Sequence, residues 1–208
     1  IYRIKSFYEK IKEENQNKNI TIIGIGDSPI IILQIFSKMF NEIDDYNIKY
    51  LPCSYLNKRH PLEVEYEEKL GKEKMMELNN VIDTDLILWI DYISTWLSFY
   101  KFKLLLPKEI RSKSYYYLYG DNSTFLEKIK GKNKIEFFDT SINEKLEYFF
   151  SQIIGASEKY NIRCLPKIKI DEDYQVKLYN IKDLSIIKNN EGCIELVDYL
   201  YNKIEKNL

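Results

Sequence analysis

Histidine is almost absent from this chain of 208 residues, with His60 the single example. That excludes metal centres built on several histidines and leaves any Ser-His-Asp arrangement one candidate base. Cysteine is nearly as scarce. Cys53, Cys164 and Cys193 are far apart, odd in number, and form no CxxC pair or Cys/His cluster. A disulfide framework or zinc module is therefore not expected, and a reducing, cytoplasmic setting is. The chain also lacks an excess charge of either sign. Its net charge is -1 and its pI about 6.1, so no global field favours nucleic acid or an anionic membrane. No apolar run reaches the roughly 18 residues of a membrane span. The longest, residues 20–36, is broken by Gly, Asp, Ser and Pro. Residues 1–19 are lysine-rich and amphipathic, without the apolar stretch of a secretory leader.

What is present is the balance of a globular protein: 45% hydrophobic and 30% charged residues. The length suits one sizeable domain or a domain with an appendage. Ile4, Phe7, Tyr8 and Ile11 recur at helical spacing over residues 2–15. Residues 20–25 are β-branched and continuously apolar, the pattern of a central strand buried on both faces. A helix over 29–41 follows, with Ser28 suited to its N-cap and Pro29 to its first turn. Further strands are expected at 48–53, 85–93, 114–119 and 134–138. Further helices are expected at 65–79, with Leu70 and Met75 or Met76 inward, and at 96–106, 123–130 and 142–160. Residues 54–64 read as a polar loop with the basic cluster Lys58-Arg59-His60.

Strands alternating with helices predict an α/β fold, a three-layer sandwich around a mostly parallel sheet. We place its core at residues 1–160. From 161 the pattern changes to short extended pieces at 166–170 and 175–181, then an amphipathic helix near 191–206. Residues 161–208 are expected to be a small α+β extension packed on the core.

Open parallel sheets bind ligands at the carboxyl ends of their strands. Two such ends carry chemistry here: Gly24-Ile25-Gly26-Asp27-Ser28-Pro29, and Asp91-Tyr92-Ile93-Ser94-Thr95-Trp96-Leu97-Ser98. The second, an apolar strand followed by an acid and hydroxyl residues that open a helix, resembles the ribose-phosphate loop of type I phosphoribosyltransferases. The resemblance covers roughly residues 20–140 and is one of pattern and element order. It implies that Asp91 faces ribose hydroxyls, with Ser94, Thr95 and Ser98 around a 5′-phosphate at a helix N-terminus. It makes Gly26, Asp27 and Ser28 the pyrophosphate loop and residues 54–64 the flap, with Lys58 and Arg59 supplying positive charge. Asp27 beside pyrophosphate implies a bridging Mg²⁺. Asp91 and Asp27 are then the residues closest to the chemistry.

Two positions depart from the family pattern. Tyr92 replaces its second acid, and Trp96 stands where a glycine normally lets the backbone close on phosphate. Tyr92 and Trp96 instead offer rings for stacking on a base. The expected partner is a phosphorylated ribose compound or nucleotide, with no nucleic acid and no membrane, and a homodimer is compatible with the aromatic content. Three functions remain open: a divergent transferase, a non-catalytic nucleotide-binding or regulatory protein, and an interaction module whose turns are only turns. Two other patterns are weaker. Gly24-x-Gly26 lacks the third glycine of a dinucleotide fingerprint, which falls at Pro29. Gly26-Asp27-Ser28 resembles the first block of GDSL hydrolases, but no histidine lies after residue 60 to serve Ser28.

Overall fold

The computed structural model describes residues 1–26, 29–40, 47–51, 75–93, 96–120, 124–140, 178–181, 198–199 and 201–202. At 96–98, 101, 124–126 and 179 it describes the backbone only. The expected loop at 54–64, the helix at 142–160 and the extended piece at 166–170 lie outside these residues.

Helix α1 (Tyr2–Glu14) buries Ile4, Phe7, Tyr8 and Ile11, the stripe that its periodicity predicts. Strand β1 (Ile20–Ile25) is buried at all six positions. Its β-branched residues suit a pleated strand covered on both faces. Helix α2 (Ile30–Phe40) follows, and its first hydrogen bond runs from the Leu33 N–H to the Pro29 carbonyl at 2.9 Å. Pro29 therefore stands at the cap, one position before the expected one. Strand β2 (Asn47–Leu51) is succeeded by the short helix α3 (Leu78–Val81). Just before α3, Met75 points inward and Met76 outward.

Strand β3 (Leu86–Tyr92) and helix α4 (Trp96–Leu105) come next. Pro107 ends α4 but starts another helix, α5 (Lys108–Ser112), whose Arg111 N–H donates to the Pro107 carbonyl at 2.9 Å. Proline cannot continue a helix, because it has no N–H to donate, yet its carbonyl can accept a first helical bond. The pattern of residues 108–112 alone had not suggested this helix. Strand β4 (Ser114–Gly120), helix α6 (Thr124–Ile129) and strand β5 (Ile135–Asp139) complete the parallel array. The two-residue strand β6 (Tyr179–Asn180) pairs antiparallel with β2.

The sheet order is β5-β4-β3-β1-β2-β6, and its first five strands are parallel. From β1 the chain first steps to β2, then returns past β1 to β3, β4 and β5. Right-handed crossovers require such a reversal to move the helices to the opposite face. The core divides accordingly. Helices α1 and α2 pack with Ile22, Ile48, Leu88, Ile90, Tyr115, Tyr117 and Tyr119 on one face. Helices α3, α4 and α5 supply Leu78, Phe99, Phe102 and Ile110 to the other, against Ile23, Trp89, Tyr116 and Leu118. Alternate residues of one strand thus enter different clusters, as a period of two demands. Each fully buried Ile, Leu or Phe contributes about 1.5–3 kcal/mol of transfer free energy.

Trp89 anchors the second face. It is fully buried, packs edge-on to Phe102 at 5.3 Å, and its indole N–H donates to Ser114 Oγ at 2.8 Å. Ser114 Oγ in turn donates to the Ile110 carbonyl at 2.6 Å. The polar handle of the tryptophan is thereby satisfied, and α5 is tied to β4. The Tyr115-Tyr116-Tyr117 run is core on both faces, as expected of strand tyrosines. Burial pushes the Tyr116 phenol up to about 12. At the C-terminal end, residues 198–199 and 201–202 are helical. Lys38 of α2 meets Asp198 at 2.6 Å and lies over the Tyr201 ring at 4.5 Å. Among the described residues no helix is long and apolar enough to cross a membrane.

Candidate functional site

A parallel sheet whose strand order reverses opens a crevice at the carboxyl ends of the strands flanking the reversal. Here those strands are β1 and β3. Gly24 stands opposite Ile90 at the end of their register, and Ile25 still pairs with Leu51 of β2, so the chain leaves β1 next to the end of β3. The two strand ends that the sequence singles out are therefore neighbours.

Two glycines shape the β1 end. A Cβ on Gly24 would lie 2.5 Å from Leu33 Cδ1 and 3.1 Å from Pro29 Cγ. The missing side chain lets the first turn of α2 pack directly on β1. Gly26 has φ 67, a conformation that L side chains rarely adopt, and its N–H donates to the Leu51 carbonyl at 3.0 Å. The chain thus turns sharply out of β1 while still tied to the end of β2. Asp27 and Ser28, the next two residues of this turn, lie outside the described residues.

At the β3 end Asp91 is half-buried and stands opposite Leu118 of β4. Burial raises its carboxyl pKa well above the ordinary value, against a lowering hydrogen bond from the Tyr92 backbone. Tyr119 is buried nearby. Its phenol is also pushed well up, first by burial and then by the charges of Asp91, Tyr92 and Tyr117. The Tyr92 ring packs edge-on to Tyr119, with centroids 5.6 Å apart. The Ile93 N–H donates to the Tyr119 carbonyl at 2.8 Å. A Cβ on Gly120 would fall 2.0 Å from the Ile93 carbonyl oxygen. Only glycine allows β4 to close on the residue that leads from β3 into α4.

Both helices that open from this crevice, α2 and α4, point their N-termini toward it, since each follows its strand and runs back across the sheet. Trp96 is the first residue of α4, and Ser98 lies in its first turn. Their side chains are not among those described, and Ser94, Thr95, Lys58 and Arg59 lie outside the described residues altogether. Of the expected site residues, the structure describes Gly26, Asp91 and Tyr92 at neighbouring strand ends, with Asp91 and Tyr92 on opposite faces of β3.

Two residues at the same end of the sheet were not singled out from the sequence. Tyr119 is one. The other is Asp139, which ends β5 opposite Gly120 and is 4% exposed. The signal was available, because Ile135-Glu136-Phe137-Phe138-Asp139 ends an apolar strand on an acid much as β3 does. Among the described residues no three His, Cys, Asp or Glu side chains gather as a metal site, and Asp27 lies outside those residues. No family model, curated protein or solved structure matches the chain.

Proposed function

We propose that the chain binds a phosphorylated ribose compound, a nucleotide or phosphoribosyl diphosphate, at the crevice between β1 and β3. The observation that carries this reading is that the carboxyl ends of β1, leading to Gly26, and of β3, bearing Asp91, are neighbours at the reversal of strand order, where open α/β sheets hold such ligands. Asp91 would hold the ribose hydroxyls. Burial shifts its carboxyl toward the neutral form, which donates as well as accepts and repels a neighbouring phosphate less than a carboxylate does. Ser94, Thr95 and Ser98 would hold the 5′-phosphate at the start of α4. Gly26, Asp27 and Ser28, with Lys58 and Arg59, would take the pyrophosphate side. The upward shift by burial makes Asp91 a weaker ligand for a hard cation than an ordinary carboxylate. Mg²⁺ would therefore be held by Asp27 and would supply neutralisation of pyrophosphate charge. On this reading the chain descends from phosphoribosyltransferase-like proteins.

Binding without turnover is the second reading, and Tyr92 favours it. In place of the second acid stands a ring packed against Tyr119, which cannot supply a carboxylate to the ribose.

Thermal melting with phosphoribosyl diphosphate, AMP and pyrophosphate, each with and without Mg²⁺, tests both. A ligand at ~100 times its Kd stabilises by about 2.7 kcal/mol, a rise of roughly 5–10 °C for a domain of this size. Asp91→Ala should abolish the rise. Ligand binding with no release of pyrophosphate in the presence of bases selects the second reading. No rise with any of the three at millimolar ligand refutes the site and leaves an interaction module on an α/β scaffold.

A further inference from the structure

The net charge of -1 hides a local asymmetry. Residues 101–134 hold nine Lys and Arg against three Asp and Glu. The fold gathers several of these cations at the amino-terminal edge of β4 and β5, opposite the crevice. Lys113 Nζ donates to the Thr84 carbonyl at 2.8 Å, and Lys134 Nζ to the Ser112 carbonyl at 2.7 Å. Lys134 Nζ lies 5.1 Å from the Tyr115 ring centroid, and Lys103 Nζ 5.6 Å from that of Tyr116. Tyr115 and Tyr116 face opposite sides of the sheet, so ammonium groups flank the start of β4 on both faces. Burial lowers the pKa of Lys103, and the charges of Lys132, Arg111 and Lys134 lower it further. Between α6 and β5, Lys130 and Lys132 bracket Gly131, and both are exposed.

Crowded like charges oppose folding, and a bound polyanion relieves the repulsion. The chemistry points to phosphates. Most of the cations are lysines, compact point charges that serve phosphate without demanding planar, bidentate geometry. An aromatic side chain stands beside them: Tyr100 of α4 is 46% exposed, three residues before Lys103 and so its neighbour on the helix surface. The apolar faces of α4 and α5 are spent on the core through Phe99, Phe102, Leu106 and Ile110. Besides Tyr100, Leu104 is the one large exposed hydrophobic of these helices among the described residues, too small an apolar face to enter a lipid surface, which favours nucleic acid over membrane.

We propose that this edge binds single-stranded nucleic acid, with Lys103, Arg111, Lys113, Lys130, Lys132 and Lys134 on its phosphates and Tyr100 stacked on a base. Fluorescence anisotropy with a labelled oligothymidylate of about 20 nucleotides tests it. Saturable binding should weaken with salt at a log–log slope of about -4.2, from about 0.7 per neutralised phosphate on a single strand. The triple variant Arg111→Gln, Lys132→Gln, Lys134→Gln should bind at least ~10-fold more weakly, with the slope shallower by about 2. Lys134 also holds the Ser112 carbonyl, so the pair Lys130→Gln, Lys132→Gln, both exposed, gives a second reading free of that contact. It should flatten the slope by about 1.4. Tyr100→Ala should weaken binding roughly tenfold and leave the slope unchanged. The proposal falls if no saturable signal appears at ~50 mM salt, or if both charge variants bind undiminished at unchanged melting temperature. It also falls if a duplex of the same length binds more tightly than the single strand. Capture by phosphatidylserine vesicles without oligonucleotide binding overturns it in favour of a membrane.

Discussion

Replacing Gly120 by alanine is the most sensitive probe of how the carboxyl end of the sheet is closed. The new methyl carbon would start 2.0 Å from the Ile93 carbonyl oxygen and 3.1 Å from its carbon. An ordinary contact is longer by more than an ångström, so backbone must move. The Ile93 N–H to Tyr119 carbonyl bond at 2.8 Å pins one side of that contact. No side-chain rotation can absorb the overlap, since the atom struck is backbone. The cost should reach or exceed about 3 kcal/mol, the upper end of overpacking penalties, and lower the melting temperature by roughly 6–12 °C. Gly24→Ala provides the comparison. Its methyl would strike the far end of Leu33 at 2.5 Å, a tip that can turn away, so about 1–2 kcal/mol is expected. Gly131→Ala meets nothing within 4 Å and has only its φ of 78 to violate, for about 1 kcal/mol. Urea denaturation of the three variants reads the ranking directly. If Gly120→Ala were the mildest, the close approach of β4 to Ile93 would not constrain the fold, and the argument for a rigid crevice would fail.

Asp91 makes stability fall with rising pH. Its folded pKa lies well above the unfolded value, so its contribution is fully present below the unfolded value of about 4. That contribution is lost as pH rises through the folded value. Asp91→Asn should therefore be more stable than wild type at neutral pH, with a flatter profile in urea melts from about pH 4 to 8. An unchanged profile would mean that the carboxyl is hydrated after all. Trp89→Phe removes the indole donor to Ser114 Oγ and opens space beneath Phe102. It should cost about 2–4 kcal/mol in the same assay, and a loss below ~1 kcal/mol would show that the site collapses freely.

The parts of the fold legible in the sequence are those where one period dominates. Strand β1 could be bounded to the residue because all six positions are buried, which leaves no competing helical face. The stripe of α1 was equally plain. Helix α5 was not, since five residues hold too few periods to register, and its start depends on a proline that also ends α4. The site was half legible. Strand-end acids and glycines announce the crevice, and the register makes the ends of β1 and β3 neighbours. Asp139 and Tyr119 escaped notice because they come from β5 and β4, and nothing along the chain tells that a third and a fourth strand share one edge. The basic edge was hidden for another reason. Net charge sums over the whole chain, whereas screened fields act over about 10 Å.

The two ends of this sheet have different chemistry, and the polarity of the strands accounts for part of it. Parallel strands place every helix C-terminus near the amino-terminal edge, where carbonyl dipoles favour cations. Lys103, Arg111 and Lys128 stand in the last turns of α4, α5 and α6, and the dipole explains them without any ligand. It also covers Lys113, the C-cap of α5, and Lys134, which donates to the carbonyl of Ser112 at the end of that helix, but it leaves Lys130 and Lys132, exposed beyond the last turn of α6. Those two loop lysines separate the two accounts. If the edge is cationic only to cap its helices, changing the last-turn residues should lower stability, and changing the loop lysines should alter neither stability nor binding. If it serves a polyanion, the loop lysines should govern the salt slope of binding while leaving the melting temperature in place. Pairing the two readouts on the same variants therefore decides whether this edge is a by-product of sheet polarity or a second binding surface.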